Sequence, residues 1–320
     1  MSLERINWVD WAKSICILLM VCGHSHPLPF IHDFLYLFHL PVFFIISGLL
    51  YKPKKFSYLL KGLLLPVIIW NIINYPWYLY SVVKFQDNIT INNLIFQPFL
   101  GLFFHDFHLG IPICGPFWFV LVIFILRIYH QLVASSKRLQ LVTIVFCFFI
   151  AVISDEAPQK TFFFLTQRAV IAYPFFYLGT TIKNYSQILN MLNRNQNIYL
   201  IITIVVLVIY STMIGSFDLY SCQLNIFPMY YVIGCVGFIF IYLLTNKIVH
   251  KFGTPEFVLN ISKGTLVILG LHNITLFLLS KLVNHVDFLG RGELFSVLTI
   301  VILYIPMVYI VKKFPILIGK

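Results

Sequence analysis

The chain has 320 residues, of which 60% are apolar, 18% aromatic and 10% charged. A soluble domain carries about 25% charged residues, so this composition excludes an ordinary soluble globular protein and points to an all-α integral membrane protein. The net charge of +11 is not evidence of a nucleic-acid partner, because the basic residues sit at the ends of apolar segments and no arginine-rich tail or RNA motif accompanies them.

A bilayer-crossing helix needs about 20 largely apolar residues. The hydropathy pattern predicts ten such segments, near 6–24, 34–51, 61–83, 112–130, 139–154, 161–182, 197–215, 226–245, 257–280 and 294–312, in a single domain over residues 1–320. The first segment is read as a retained helix, since no small-residue cleavage site follows its apolar run. It carries Asp10, Lys13 and His24. Lys13 and His24 are eleven positions apart and share a helix face, roughly 16 Å from one another along the axis, with Asp10 one turn before Lys13. Ionisable groups inside a span are costly and mark functional sites by default. Histidine is the usual general base near neutral pH, which makes His24 the first candidate. The second segment opens with His39 and Pro41, and its Ser47 and Gly48 are small enough to admit a close helix neighbour.

The loop after it carries Lys52, Lys54 and Lys55, with Lys61 at the start of the third segment. The longest outer loop, Lys84 to Gly110, holds His105, Asp106 and His108, whose loose spacing reads as a solvated loop and not a metal site. Further along, Trp118, Arg168, Tyr173 and His272 are polar or amphipathic residues within apolar segments. With the N-terminus inside, the cytoplasmic loops collect fifteen of the 22 basic residues: Arg5, Lys52, Lys54, Lys55, Lys61, Arg127, Lys137, Arg138, Lys183, Arg194, Lys247, Lys251, Lys312, Lys313 and Lys320. The outer loops collect Asp33, Asp87, Asp106, Asp155, Glu156, Asp218, Asp287 and Glu293. Lysine and arginine bias sets topology, so both termini are expected in the cytoplasm. The six cysteines include no CxxC pair and read as buried thiols; a Cys114–Cys222 bridge between outer loops stays open, with nothing in the sequence to support it.

Taken together, Arg5-Ile-x-Trp-x-Asp10-x-x-Lys13, Gly23-His24-Ser25 and Phe38-His39-Leu-Pro41-Val-Phe-Phe-x-x-Ser47-Gly48 resemble the acyltransferase-3 family of membrane acyltransferases. The pattern is most similar to the sugar O-acetyltransferase branch that includes the fucose-4-O-acetylase-like proteins. Weaker matches follow in order at Lys61 to Pro66, Gly115-Pro-Phe-Trp118-Phe119, Arg168 with Tyr173-Pro-Phe-Phe-Tyr-Leu-Gly179, Asn260-Ile-Ser262 and Leu271-His272. The resemblance implies a bundle of about ten helices in the plasma membrane of a bacterium, which moves an acyl group from acetyl-CoA to a carbohydrate hydroxyl and has no permanently bound cofactor. It implies His24 as the catalytic residue, with His39 as a second proton carrier and Asp10 beside them. Donor phosphates would meet Lys13, Lys52, Lys54, Lys55 and Lys61, while Arg168, His272, Trp118, Tyr173 and Ser47 would face the acceptor or the oxyanion. Many family members have arginine where this chain has Lys13, and lysine cannot clamp an anion bidentately. Direct transfer and a covalent acyl-histidine both stay open, as do surface polysaccharide, lipid-linked sugar and small polyol as acceptors. No oligomeric state follows from the sequence. The rival reading is a transporter or exporter of a polar solute or glycan, against which the lack of an internal repeat weighs.

Overall fold

The computed structural model describes residues 6–85, 89–104, 113–156, 164–283 and 290–320. Arg5, Asp87, His105, Asp106, His108 and Asp287 lie outside the described residues, as do the side chains of Asp155, Glu156 and Lys183. The described chain is helical: α1 Asn7–His24, α2 Pro29–Tyr36, α3 His39–Leu49, α4 Phe56–Leu59 running through a π-helical stretch Leu60–Leu64 into α5 Leu65–Phe85, then α6 Gln97–Phe104, α7 Trp118–Val133, α8 Lys137–Glu156, α9 Phe164–Thr181, α10 Ser186–Arg194, α11 Gln196–Met213, α12 Phe227–Phe252, α13 Glu256–Lys263, α14 Thr265–Leu282 and α15 Arg291–Lys313.

Among the described residues, seven helical stretches are long and apolar enough to cross a membrane: Pro29–Leu49, Phe56–Lys84, Gly115–Val133, Gln196–Met213, Phe227–Phe252, Thr265–Leu282 and Arg291–Lys313. The three other expected segments coincide with α1, α8 and α9, which are 18, 20 and 18 residues long. Two of them carry ionisable residues along their length, Asp10 and Lys13 in α1 and Arg168 in α9.

Two expected segments are broken. The second starts earlier, at Pro29, and divides at Leu37–Phe38 into α2 and α3. Phe38 has φ −143° and ψ −19° there and is fully buried against α12, so the chain turns around an anchored aromatic ring. The ninth divides at Gly264 into α13 and α14. A Cβ on Gly264 would come within 2.3 Å of the Met307 side chain, which is why α15 can pack against the break itself. The break frees residues 253–263 to lie along α1 in place of continuing α14.

The expected small-residue contact at Gly48 is present. An added Cβ there would fall 2.0 Å from the Phe176 carbonyl oxygen, and one on Gly179 would fall 2.0 Å from the Ile45 carbonyl oxygen. Helices α3 and α9 therefore cross backbone to backbone. Two apolar clusters result, one centred on α3, α9 and α12, the other on α5, α14 and α15. Helices α1 and α7 contribute to both, with Cys16 and Val122 in the first and Ile17 and Leu121 in the second. All six cysteines are free thiols, so Cys114 and Cys222 are not bridged.

Candidate active site

Between the two clusters lies a cavity of about 630 Å³. One stripe of α1 lines it: Asp10, Lys13, Ile17, Met20 and His24. The intervals of three and four residues place all five on one face of a helix, so the polar stripe read from the sequence is a cavity wall.

At one end α1 is clasped by the segment that the Gly264 break releases. Trp11 Nε1 donates to the Gly253 carbonyl at 2.8 Å, and Ser14 Oγ to the Val258 carbonyl at 3.0 Å. Lys13 Nζ donates to the Ser262 carbonyl at 2.6 Å, while Ser262 Oγ donates to Asp10 Oδ1 at 2.6 Å. Hydrogen bonds to charged groups are worth about 1.5–3 kcal/mol each, and here they bind both charged residues of α1 to the α13 backbone and side chain. Asp10 thus acts through Ser262, and at the opposite end of the stripe from His24. The cations Lys263 and Lys320 line this end of the cavity, together with Arg127 of α7.

At the other end His24 meets Tyr36, His39, Trp118, Asp218 and Tyr220 around the cavity. The His24 and His272 rings lie 5.2 Å apart between centroids, tilted by 53°. His272 is fully buried, and its Nδ1 lies 3.0 Å and 3.1 Å from the Ile268 and Leu269 carbonyl oxygens. A carbonyl can only accept, so Nδ1 carries the proton and neutral His272 keeps its lone pair on Nε2. Nε2 is buried and has no hydrogen-bond partner among the described residues. His39 is held in the same way, Nδ1 to the Leu35 carbonyl at 2.8 Å. Both rings are therefore acceptors at Nε2. This removes neutral His272 as a donor to an oxyanion and leaves it able to orient or receive an N–H.

The other residues expected from the sequence divide. Ser47 and Trp118 line the cavity. Arg168 is fully buried behind it: Nε donates to the Tyr220 carbonyl at 2.7 Å, and the guanidinium lies 4.0 Å from the Tyr220 ring centroid and 5.2 Å from that of Trp118. Tyr173 stands apart, its hydroxyl 3.1 Å from His130 Nδ1. Lys52, Lys54, Lys55 and Lys61 are exposed and do not line the cavity, although Gly62 and Leu63 do.

Sequence reasoning passed over Arg127, Asp218 and Tyr220 as site residues. A signal for Arg127 was present, since Phe119, Ile123 and Arg127 recur every four residues on one face of α7 and all three line the cavity.

A chain whose described residues are helical, with seven apolar helices of spanning length among them and a polar-ended cavity between, is a multi-pass membrane protein. It belongs to the acyltransferase-3 family: the family model, described as an acyltransferase domain, matches residues 6–311. Membership makes the chain a membrane acyltransferase. Comparisons with curated proteins and with solved structures return no match.

Proposed function

We propose that this acyltransferase is an O-acetyltransferase of the fucose-4-O-acetylase-like branch, carrying acetyl from acetyl-CoA to a hydroxyl of a carbohydrate at the plasma membrane of a bacterium. Ten helices cross the bilayer, with both termini in the cytoplasm. The observation that supports this reading is the cavity running along α1 from Lys13 to His24, with cations at one end and histidines at the other.

The donor enters at the cationic end, where Lys13, Arg127, Lys263 and Lys320 draw its phosphates; Lys52, Lys54, Lys55 and Lys61 raise its local concentration outside the cavity. No resident cofactor is needed. The acyl group reaches the histidine end, where the acceptor hydroxyl lies against His24. His24 takes the hydroxyl proton as the oxygen attacks the thioester carbonyl. Charge then gathers on the carbonyl oxygen, where the Tyr36 hydroxyl and the Asn273 amide, both from residues lining the cavity, serve as hydrogen-bond donors. Collapse of the tetrahedral intermediate breaks the carbon–sulfur bond. The proton held by His24 neutralises the departing thiolate. His272 Nε2, fixed as an acceptor, steadies the N–H of His24, and His39 serves as the second proton acceptor.

The test is acetyl transfer by the purified protein in lipid nanodiscs, with radiolabelled acetyl-CoA and a carbohydrate panel. His24→Ala should fold and lose roughly 10²-fold or more in transfer, the scale of a lost general base. Absence of acetyl-CoA turnover by the wild type with any acceptor would overturn the reading and favour transport through the same cavity.

A further inference from the structure

The connection from α11 to α12 is not a slack loop. Asp218 and Gln223 form an antiparallel bridge, exchanging backbone hydrogen bonds of 2.8 Å each way. The bridge closes a tight turn over Leu219–Cys222, with the Cys222 N–H donating to the Leu219 carbonyl at 3.3 Å; Phe217 and Leu219 are buried in the core, while Asp218 and Tyr220 line the cavity. Cys222 and Leu224 are fully buried and anchor the return arm. The Asp218 carboxylate is fixed in place, Oδ1 accepting from the Tyr220 N–H at 2.9 Å and Oδ2 from the Ser221 hydroxyl. A carboxylate has about four lone-pair directions, so each oxygen keeps capacity for another donor. Asp218 lies within electrostatic reach of His24 and of Tyr36. Among the described residues the acids that line the cavity are Asp10 and Asp218, and Asp10 belongs to the opposite end. Beside Asp218 the rings of Tyr220 and Trp118 stand 5.6 Å apart at 59°, steadied from behind by Arg168.

We propose that Asp218, Tyr220 and Trp118 form the acceptor subsite, and that it selects a neutral carbohydrate bearing two adjacent hydroxyls. This rests on the acetyl-transfer reading above and assigns its substrate wall. Two vicinal hydroxyls donate to the two Asp218 oxygens while the C–H face of the sugar ring packs on Tyr220 and Trp118. A third hydroxyl is thereby presented to His24. The Asp218 carboxylate, offset in part by the Arg168 guanidinium behind the subsite, faces the cavity and repels a uronate or other acidic sugar, so selection comes from repulsion as well as contact. Arg168 is a positioning residue: it holds the Tyr220 carbonyl and ring, and it touches no acceptor.

The experiment measures transfer from radiolabelled acetyl-CoA by the purified protein to paired methyl glycosides of the gluco, galacto and manno series, each as the neutral hexoside and as the uronate. The wild type should favour at least one neutral hexoside over its uronate by about tenfold or more in kcat/KM, and Asp218→Asn should raise KM for that hexoside about tenfold and bring the two within about threefold. Asparagine can keep both loop hydrogen bonds, so the variant retains the loop. Arg168→Lys keeps the charge but loses the planar stack, and should raise acceptor KM with kcat within about threefold of wild type. A uronate preference in the wild type, or an Asp218→Asn variant with unchanged acceptor KM and unchanged selectivity, overturns the subsite. Acetyl-CoA turnover without transfer to any of these sugars overturns it too, yet leaves acyl transfer standing. No turnover at all removes both.

Discussion

Gly48 offers the most direct test of the architecture that carries the site. Its substitution by alanine places a Cβ 2.0 Å from the Phe176 carbonyl oxygen and 3.1 Å from the Gly179 Cα. Close carbon–oxygen contacts settle at about 3.3 Å or more, so α3 and α9 must move apart by more than about 1 Å. The obstacle is backbone, which cannot rotate aside. Overpacking of this kind costs about 1–3 kcal/mol, and the upper end applies because His39, Ser47 and the buried aromatics Phe44 and Phe176 share the displaced interface. At about 1.5 °C per kcal/mol for a chain of 320 residues, Gly48→Ala should unfold roughly 3–5 °C below wild type in detergent, followed by near-UV circular dichroism. Gly179→Ala meets the Ile45 carbonyl oxygen at 2.0 Å in the same crossing. The separation forced by one alanine also admits the other, so the double variant should lose less than the sum of the two. Gly115→Ala, whose Cβ meets nothing within 4 Å, is the control and should stay within about 0.5 kcal/mol of wild type. Wild-type unfolding of both Gly48→Ala and Gly179→Ala would refute the backbone crossing.

Three further outcomes are expected. Lys13→Ala should lower kcat/KM for acetyl-CoA about tenfold, by losing a donor-facing cation and the Ser262 clasp, whereas Lys13→Arg should stay within about threefold. The Arg127→Gln/Lys263→Gln pair should raise donor KM about tenfold, and the Lys52, Lys54, Lys55 and Lys61 glutamine quadruple about threefold, in steady-state kinetics; equal donor KM in all three proteins would move the phosphates elsewhere. Cysteines introduced at Lys54 and Asn225 in a cysteine-free background should label from opposite sides of sealed vesicles, and labelling of both from one side would sink the ten-span arrangement.

What could be read in the sequence follows from what each feature depends on. The stripe from Asp10 to His24 was legible because it is local: one helix, one period, one face. Gly48 was legible as a packing residue, while its partner Gly179 could be found only in the folded chain. The break at Phe38 was hidden because apolar residues continue through it, and burial against α12 turns the chain there; the break at Gly264 lies in Asn260-Ile-Ser-Lys-Gly-Thr265, a polar run ending in glycine that the hydropathy segment 257–280 averaged away. Arg168 stood out as a charge within an apolar segment, and it is buried, but its contact with Tyr220 lies 52 positions away, and no spacing rule reaches so far. Asp218 was absorbed into the charge asymmetry of the outer loops. Its setting between Phe217 and Leu219 spans too few residues to stand out from a loop.

The length of the α1 stripe has a consequence for the kind of activated acyl group that this protein can use. Lys13 and His24 are separated by about three helical turns, roughly 16 Å, and the wall between them is Ile17 and Met20. The helix is in effect a ruler. A donor held by its phosphates at the cationic end delivers its acyl group to the histidines only if a thin, flexible arm of that length joins the two. Acyl phosphates and acyl adenylates carry comparable chemical activation but no arm. They would occupy the anion end and leave the histidine end empty, so on the proposed mechanism the distance along one helix would select for a thioester on a long tether by reach alone.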